Sequence, residues 1–518
     1  MKTALIILPY AFNVRNFVYT PVLRQMALTD DVRFVLVSLR PADRDAIERG
    51  GAANIFHETS APHAQGRSYA SYMPPRGAAR VAALCGRLRQ RLDELYVNHS
   101  LVYRFNYING LAAVHMRLAM TRTQRRIEIA SNRLPPRWIG WPCAGNRRVF
   151  RALYRYRFSA PRLAEDPWMA HLFDRYRPDV LVLSRVQAPQ GYALLPALMS
   201  AKRRGVPVIG IIETWDHITT KGPVTPGCAV YTVGSSTMIA DLEKYHGIGA
   251  ARVRLTGHPF LDNYRKAGWV TDRASFLRRL GLPGDCTLLV FGTNATGALN
   301  AHEPSIARYL AQRTAAGAYG RNAVLYLRTH PHDARWRETF GALHAPPHVL
   351  VSRASSMGYA ADDAESDPTL DMRRLANLMR HAHVVINSVG SLALDAAAFD
   401  TPVVYLGFDG NLKRPACDSM LVRYQLEHVR PVVESGGVWL VRSYEELDRA
   451  ILEYSRDPAL HAAGRKTIRD QHLEPFDGRA AERLVGLIAR FARGALCGPE
   501  RDGFWSHPGI SERQEGSM

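Results

Sequence analysis

The chain has 518 residues, 47% of them hydrophobic, a length that predicts two or three domains with sizeable cores. Its 67 Lys and Arg against 47 Asp and Glu give a net charge of +20, which favours anionic partners such as nucleotides, phospholipid surfaces or nucleic acid. No apolar stretch reaches the ~18–20 residues that span a bilayer, and the six cysteines (Cys85, Cys143, Cys228, Cys286, Cys417 and Cys497) form no CxxC pair, so neither a zinc site nor a disulfide framework is expected.

Thr3–Leu8 predicts a buried first strand. Its apolar run ends at Pro9, too short for the apolar region of a signal peptide. A cytoplasmic chain is expected, with peripheral contact at the inner membrane compatible with its charge. The loop Pro9–Asn16 follows, then a helix over Phe17–Ala27 and a second buried strand over Val32–Ser38. A strand, a crossover helix and a strand of this size make a parallel βαβ unit. In the loop, Asn13, Arg15 and Asn16 are suited to bind a phosphate or another acceptor, and a structural turn accounts for them equally well.

The rhythm stops at about residues 76–158. This stretch is helical in period, rich in Arg, and interleaved with aromatics such as Tyr103, Phe105, Trp138 and Trp141. It reads as a helical insertion in the first domain. Docking on an anionic membrane surface is placed above single-stranded nucleic acid, which also uses aromatics with Arg. A solvated insertion with its own small core is the plain alternative.

The rhythm resumes with strands over Pro178–Ser184, Pro207–Ile212, Ala229–Val233 and Arg252–Gly257, and helices over Tyr192–Arg203 and Ser236–Tyr245. The loop Glu213–Gly222 leaves the carboxyl end of a strand. It crowds together Glu213, Asp216, His217 and Lys221, offering a general base for a hydroxyl nucleophile and a cation for phosphate. Residues 258–272 read as a linker. A second set then begins: strands Thr287–Phe291 and Ala323–Arg328, helices Pro304–Ala315 and Asp371–His381, and an aperiodic acidic loop over Met357–Pro368. Arg328 and His330 stand at a strand end in the sequence RTHPHD, where His330 is placed to donate to a phosphate oxygen.

The most informative stretch is Val384–Gly407 (VVINSVGSLALDAAAFDTPVVYLG). It predicts a buried strand, a Gly/Ser turn over Asn387–Ser391, an Ala-rich helix over Leu392–Phe399, and a second buried strand, Val403–Leu406. Small residues at such a turn let N–H groups at a helix start face an anion. A helix cap accounts for Ser or Asn there as well. The turn is neither a GxGxxG fingerprint nor a P-loop, which demotes NAD and ATP. Helices over Tyr444–Tyr454 and Arg479–Arg493 follow, and residues 498–518 predict disorder. No ligand spacing typical of a metal site is present.

Together these residues resemble the GT-B glycosyltransferase superfamily. The likeness is to its cell-envelope branch: CDP-glycerol glycerophosphotransferases, capsule and lipopolysaccharide glycosyltransferases, and non-hydrolysing UDP-GlcNAc 2-epimerases. Leu255–Asp262 (LTGHPFLD), Leu327–Pro331 (LRTHP), Ala382–Gly407 and Asp477–Leu487 (DGRAAERLVGL) carry the likeness, and Trp215–Gly222 (WDHITTKG) is similar to a loop in bacterial members. The resemblance implies an α/β protein of two facing Rossmann-like, doubly wound parallel-sheet domains. Residues 1–257 would form the acceptor domain with its insertion, and residues 273–497 the nucleotide-donor domain. It implies a metal-independent transferase with no cofactor, using a UDP-, CDP- or CMP-linked donor. The acceptor would be a hydroxyl of a cell-surface glycan or a lipid-linked molecule. His330 would contact the donor phosphate, and Ser388, Gly390 and Ser391 would cradle it, with Asn387, Arg328, Lys221, Asn13 and Arg15 as further binding residues. Asp216, Glu213 and His217 are the base candidates, in that order. Positive charge at His330 and Lys221 would offset that of the leaving group. The alternatives are a UDP-sugar 2-epimerase, whose catalytic set has no matched residues here, and a non-enzymatic module binding RNA or membrane.

Overall fold

The computed structural model describes residues 1–38, 43–50, 52–59, 166–186, 194–220, 224–225, 227–294, 301–355, 367–414 and 419–495. The basic stretch at about 76–158, Lys221, most of the acidic loop and the tail 498–518 lie outside them. Contacts divide the chain into two units. The first holds the described residues up to Asp262 and those from Pro475 on, and the second holds Asn263–Glu474.

The first unit is built on a seven-stranded sheet of β1 (Lys2–Leu8), β2 (Val32–Ser38), β3 (Ile55–Thr59), β4 (Val180–Ser184), β5 (Val208–Ile211), β6 (Val230–Val233) and β7 (Val253–Leu255). Its order is β3-β2-β1-β4-β5-β6-β7 and every pairing is parallel. The strands are near-continuous apolar runs because both faces of a parallel sheet are covered. Alternation along β1 sorts the side chains to the two faces. Leu5 and Ile7 join a core with Leu172 and Phe173 of the Pro167–Tyr176 helix and Leu198 of the Leu195–Arg203 helix. Ala4, Ile6 and Leu8 join Phe17, Val22 and Met26 on the other face.

That second face is also covered by the Ala480–Ala492 helix, through Leu484, Val485, Leu487, Ile488 and Phe491. Residues 475–495 therefore belong to the first unit, which corrects the sequence assignment of everything up to 497 to the second domain. The segment read as a linker is also structured. Pro259–Arg265 is a helix and Arg273–Arg279 another, and the division between the units falls inside the first of these.

The second unit has a six-stranded sheet of β8 (Thr287–Gly292), β9 (Ala323–Thr329), β10 (Val349–Arg353), β11 (Val384–Asn387), β12 (Val403–Leu406) and β13 (Trp439–Val441). Its order is β10-β9-β8-β11-β12-β13, again wholly parallel. Phe291, Leu327, Ile386 and Leu406 pack against Ile306 and Leu310 of the Glu303–Ala315 helix and Leu447, Ile451 and Tyr454 of the Tyr444–Arg456 helix.

Each sheet reverses its strand order once, between β1 and β4 in the first and between β8 and β11 in the second. Such switch points open a crevice beyond the carboxyl ends of the strands, which is where ligands of open α/β sheets bind. The candidate residues cluster at these two edges.

Candidate functional site

At the first edge, the expected loop after β1 is a helix, Ala11–Val18. Tyr10 is extended, and its backbone N–H donates to Asn13 Oδ1 at 3.0 Å, closing the helix start in the manner of a capping box. The other end of the Asn13 amide donates to Glu213 Oε2. Asn13 is fully buried with both ends of its amide engaged inside the protein, so it braces Glu213 rather than offering itself to a ligand. Asn16 Nδ2 donates to Glu213 Oε1 at 3.2 Å. The Arg15 guanidinium lies 4.6 Å over the Phe12 ring.

Glu213 follows β5 and is buried. Burial pushes its carboxyl up to about 7, against the pull of Asn16, Arg185, Arg15 and Asn13. The two Asn donors favour the ionised form and burial the neutral one, leaving a group that changes charge at neutral pH. Arg185, at the end of β4, holds the left-handed region at φ 59° and places its guanidinium 5.0 Å from the Tyr10 ring centroid. Sequence reading passed over it, since one Arg after an apolar run carries no local signal.

Glu213 lines a small cavity with Asn16, Thr232, Thr256, His258 and Phe260. The His258 ring sits where a side chain of residue 234 would go: a Cβ at Gly234 would lie 1.8 Å from His258 Cε1. The other two base candidates are placed differently. Asp216 is partly exposed and accepts from Thr214 Oγ1 at 2.6 Å. His217 is buried as the first residue of a short helix, His217–Thr220.

Two motifs of the first unit have a structural explanation. The Asp262 carboxylate accepts from the backbone N–H groups of Ala480 (3.1 Å) and Ala481 (2.7 Å), capping the C-terminal helix across 218 positions of sequence. Gly257 is at φ 85°, and a Cβ there would lie 3.0 Å from that of Ala480. Asp477 pairs with Arg483 through both carboxylate oxygens. LTGHPFLD and DGRAAERL are thus the two halves of one closure.

At the second edge, His330 follows β9. Its backbone N–H donates to Thr293 Oγ1 at 3.1 Å, and its Nδ1 accepts from the His332 N–H at 3.1 Å. In the neutral ring the proton therefore sits on Nε2, the nitrogen left to meet a ligand. Burial, with His332 and Arg328 nearby, pulls His330 down to about 4. At neutral pH it is a hydrogen-bond donor and not the cation expected from sequence.

Arg328 is buried at the end of β9 and holds Asp371 through two bonds of 2.7 and 2.8 Å. Its charge is matched inside the fold, which corrects its expected role as a free phosphate ligand. Burial alone would raise Asp371, and the Arg328 guanidinium outweighs it to hold the carboxyl below the ordinary value.

After β11, Ser388 is fully buried and turned inward. Its Oγ donates to Glu303 Oε1 at 2.8 Å and lies 2.8 Å from His302 Nε2. Glu303 also accepts from the Asn294 backbone N–H (2.9 Å) and Nδ2 (3.1 Å). Ser388 therefore joins a buried network instead of cradling a ligand. Gly390 and Ser391 remain at the surface of this turn, with Gly390 partly exposed and Ser391 exposed. A Cβ at Gly390 would lie 3.3 Å from Asn387 Nδ2 and 3.8 Å from Asn294 Oδ1, so Gly390 borders two amide side chains. Asn387 Oδ1 is buried and has no partner among the described residues. The helix after the turn spans Leu392–Ala397, six residues, shorter than expected and with a correspondingly weaker dipole. His302, Glu303 and Asn294 escaped sequence reading because an acidic residue before Pro at a helix start is ordinary capping chemistry.

Among the described residues there is no cluster of three or more His, Cys, Asp or Glu that could hold a metal ion. No helix there is long and apolar enough to cross a membrane.

No protein-family model matches the sequence, and no curated protein matches it. Solved structures do. MnaA of S. aureus, solved with UDP, aligns over 95% of this chain and 97% of its own at 9% identity, with a TM-score of 0.50. A protein assigned as UDP-N-acetylglucosamine 2-epimerase, from Listeria monocytogenes, aligns over 96% and 98% at 11% identity, with a TM-score of 0.52. With two parallel sheets in Rossmann-like order and these structural neighbours, the chain has the GT-B fold.

Proposed function

We propose that this protein is a transferase that moves a sugar or a polyol phosphate from a nucleotide-activated donor to a hydroxyl of a cell-surface glycan or lipid-linked acceptor. One observation carries the reading: Glu213, gripped by Asn13 and Asn16, lines a cavity at the carboxyl edge of the first sheet, where burial pushes its carboxyl up to about 7. A base of that strength suits removal of a hydroxyl proton at neutral pH. Glu213 thus moves ahead of Asp216, whose carboxylate is tied to Thr214, and of His217.

In this reading the second unit binds the donor. The His330 Nε2–H, the Gly390–Ser391 turn and Asn387 supply hydrogen bonds to its phosphate, which is consistent with UDP in the MnaA structure. Glu213 takes the acceptor proton as the acceptor oxygen bonds to the anomeric carbon or the phosphorus. The bond to the nucleotide phosphate oxygen breaks, and the nucleotide leaves with that electron pair. His330 donates to the oxygen that gains charge. UDP-, CDP- and CMP-linked donors fit this chemistry.

A nucleotide screen by thermal shift is the first test, since a ligand of the native state raises apparent stability by mass action. Stabilisation by none of the UDP-, CDP-, CMP- or GDP-linked compounds would defeat the proposal. A second reading, UDP-sugar 2-epimerase, is favoured by the assigned activity of the Listeria neighbour. Epimerisation needs no acceptor, so incubation with UDP-GlcNAc alone, followed by NMR of the sugar, separates the two. Conversion at C2 without acceptor would establish the second reading.

A further inference from the structure

We propose that Glu303 is a positioning residue of the donor site: its carboxylate clamps the two loops that leave the switch point of the second sheet, one at Asn294 and one at Ser388. This inference rests on the donor-binding reading above. β8 and β11 are neighbours at the point where strand order reverses, so their following loops flank the crevice. Glu303 reaches both. One loop is held through the Asn294 backbone N–H at 2.9 Å and its side-chain amide at 3.1 Å, and the other through Ser388 Oγ at 2.8 Å. His302, fully buried, backs Ser388 at 2.8 Å through Nε2. The loop residues fixed this way neighbour the floor formed by Asn387, Gly390 and the Asn294 side chain. Three hydrogen bonds to one buried carboxylate fix Asn294 and Ser388 before any ligand arrives, which is how a site avoids ordering costs on binding.

The charge of the clamp matters as well as its shape. Burial pushes Glu303 up to about 8, against bonds from Asn294 and Ser388 and with Asp333 adding to the rise. The other titratable groups facing it are His302, held low at about 4 mainly by burial, and Tyr424, held well above its ordinary value by burial with Tyr405 and Glu303 nearby. Neither changes charge between pH 6 and 9. A phosphate bound on the floor adds negative charge near Glu303 and favours its protonated form. Nucleotide affinity should therefore fall as pH rises above about 8, by up to about tenfold per pH unit for one linked proton.

The test compares the full-length wild-type protein with Glu303→Gln and Glu303→Ala. In the unliganded proteins, amide hydrogen exchange at Asn294 should be about tenfold or more faster in Glu303→Ala. It should stay near wild type in Glu303→Gln, which keeps an oxygen for that N–H, with β8 and β11 themselves unchanged. Equal exchange in wild type and Glu303→Ala overturns the clamp, whatever the protein binds. Titration with UDP, CDP and CMP from pH 6.5 to 9 should show the alkaline loss of affinity in wild type and a flat profile in Glu303→Gln. The same profile in both overturns the charge role. If wild type binds none of the three nucleotides while the exchange difference is present, the donor reading fails and the clamp stands.

Discussion

Replacing Glu213 by Gln tests the physical basis of the proposed base. The carboxyl has an ordinary value of 4.5 and is raised to about 7 in the fold, chiefly by burial. The native state therefore binds the proton more tightly than the unfolded state. The stabilisation this represents is complete below the unfolded value and is lost as pH rises through about 7. The gap is about 2.5 pH units, and at about 1.36 kcal/mol each this amounts to roughly 3 kcal/mol. Gln carries no charge and is free of this loss. It does cost a pH-independent amount. Asn13 Oδ1 is already committed to the Tyr10 N–H, so one of the two Asn donors would meet the Gln amide nitrogen, at about 1–3 kcal/mol. Urea unfolding of both proteins at pH 5 and pH 8 isolates the titration, because Asp262, Glu303 and every other group cancel in the difference. The unfolded carboxyl is already mostly ionised at pH 5, so the stability difference between wild type and Glu213→Gln should shift by roughly 2.5 kcal/mol in favour of the variant between the two pH values. Parallel profiles would mean that Glu213 does not titrate near neutrality, and the proposed base would lose its support.

His330→Ala should abolish turnover with the fold intact by circular dichroism. Because His330 is held at about 4 chiefly by burial, its ring followed by NMR in the folded wild type should take up no proton between pH 6 and 8; a His330 titration near 6.5 would contradict the neutral-donor role. Arg328→Ala strips both guanidinium bonds from the half-buried Asp371 carboxylate, which keeps only the Ser355 backbone bond and Arg374 nearby, so it should destabilise the protein by up to about 3–5 kcal/mol. Full stability with lost nucleotide binding would instead make Arg328 a ligand. Asp262→Ala strips the cap from the Ala480–Ala492 helix and leaves two buried N–H groups unmet, at about 2–4 kcal/mol in chemical unfolding. Asp262→Asn, which keeps one acceptor, should cost less, and equal losses would show that the cap bonds are not the source.

The sequence determined the architecture because the interior of a parallel sheet is written locally. Runs such as ALIIL in β1 and VLVL in β4 are buried on both faces, and the helices between them follow the same βαβ rhythm twice. Three of the four edge strands, β3, β10 and β13, were illegible for the converse reason. β3 reads IFHET, has no buried residue, and lacks an apolar run to betray it. The positions of the candidate residues were also legible, since loops after buried strands collect at one sheet edge. Their roles were decided by tertiary structure alone. Arg328 looked available until Asp371, 43 residues away, claimed its guanidinium. Ser388 looked like a phosphate ligand until Glu303 and His302, 85 and 86 residues away, turned it inward. Asp262 caps a helix 218 positions later. Glu213 becomes a base near neutrality only through burial and two Asn side chains about 200 residues upstream. Hydrogen bonding and desolvation act through space, so spacing along the chain placed the groups at the site while folding set what each can do.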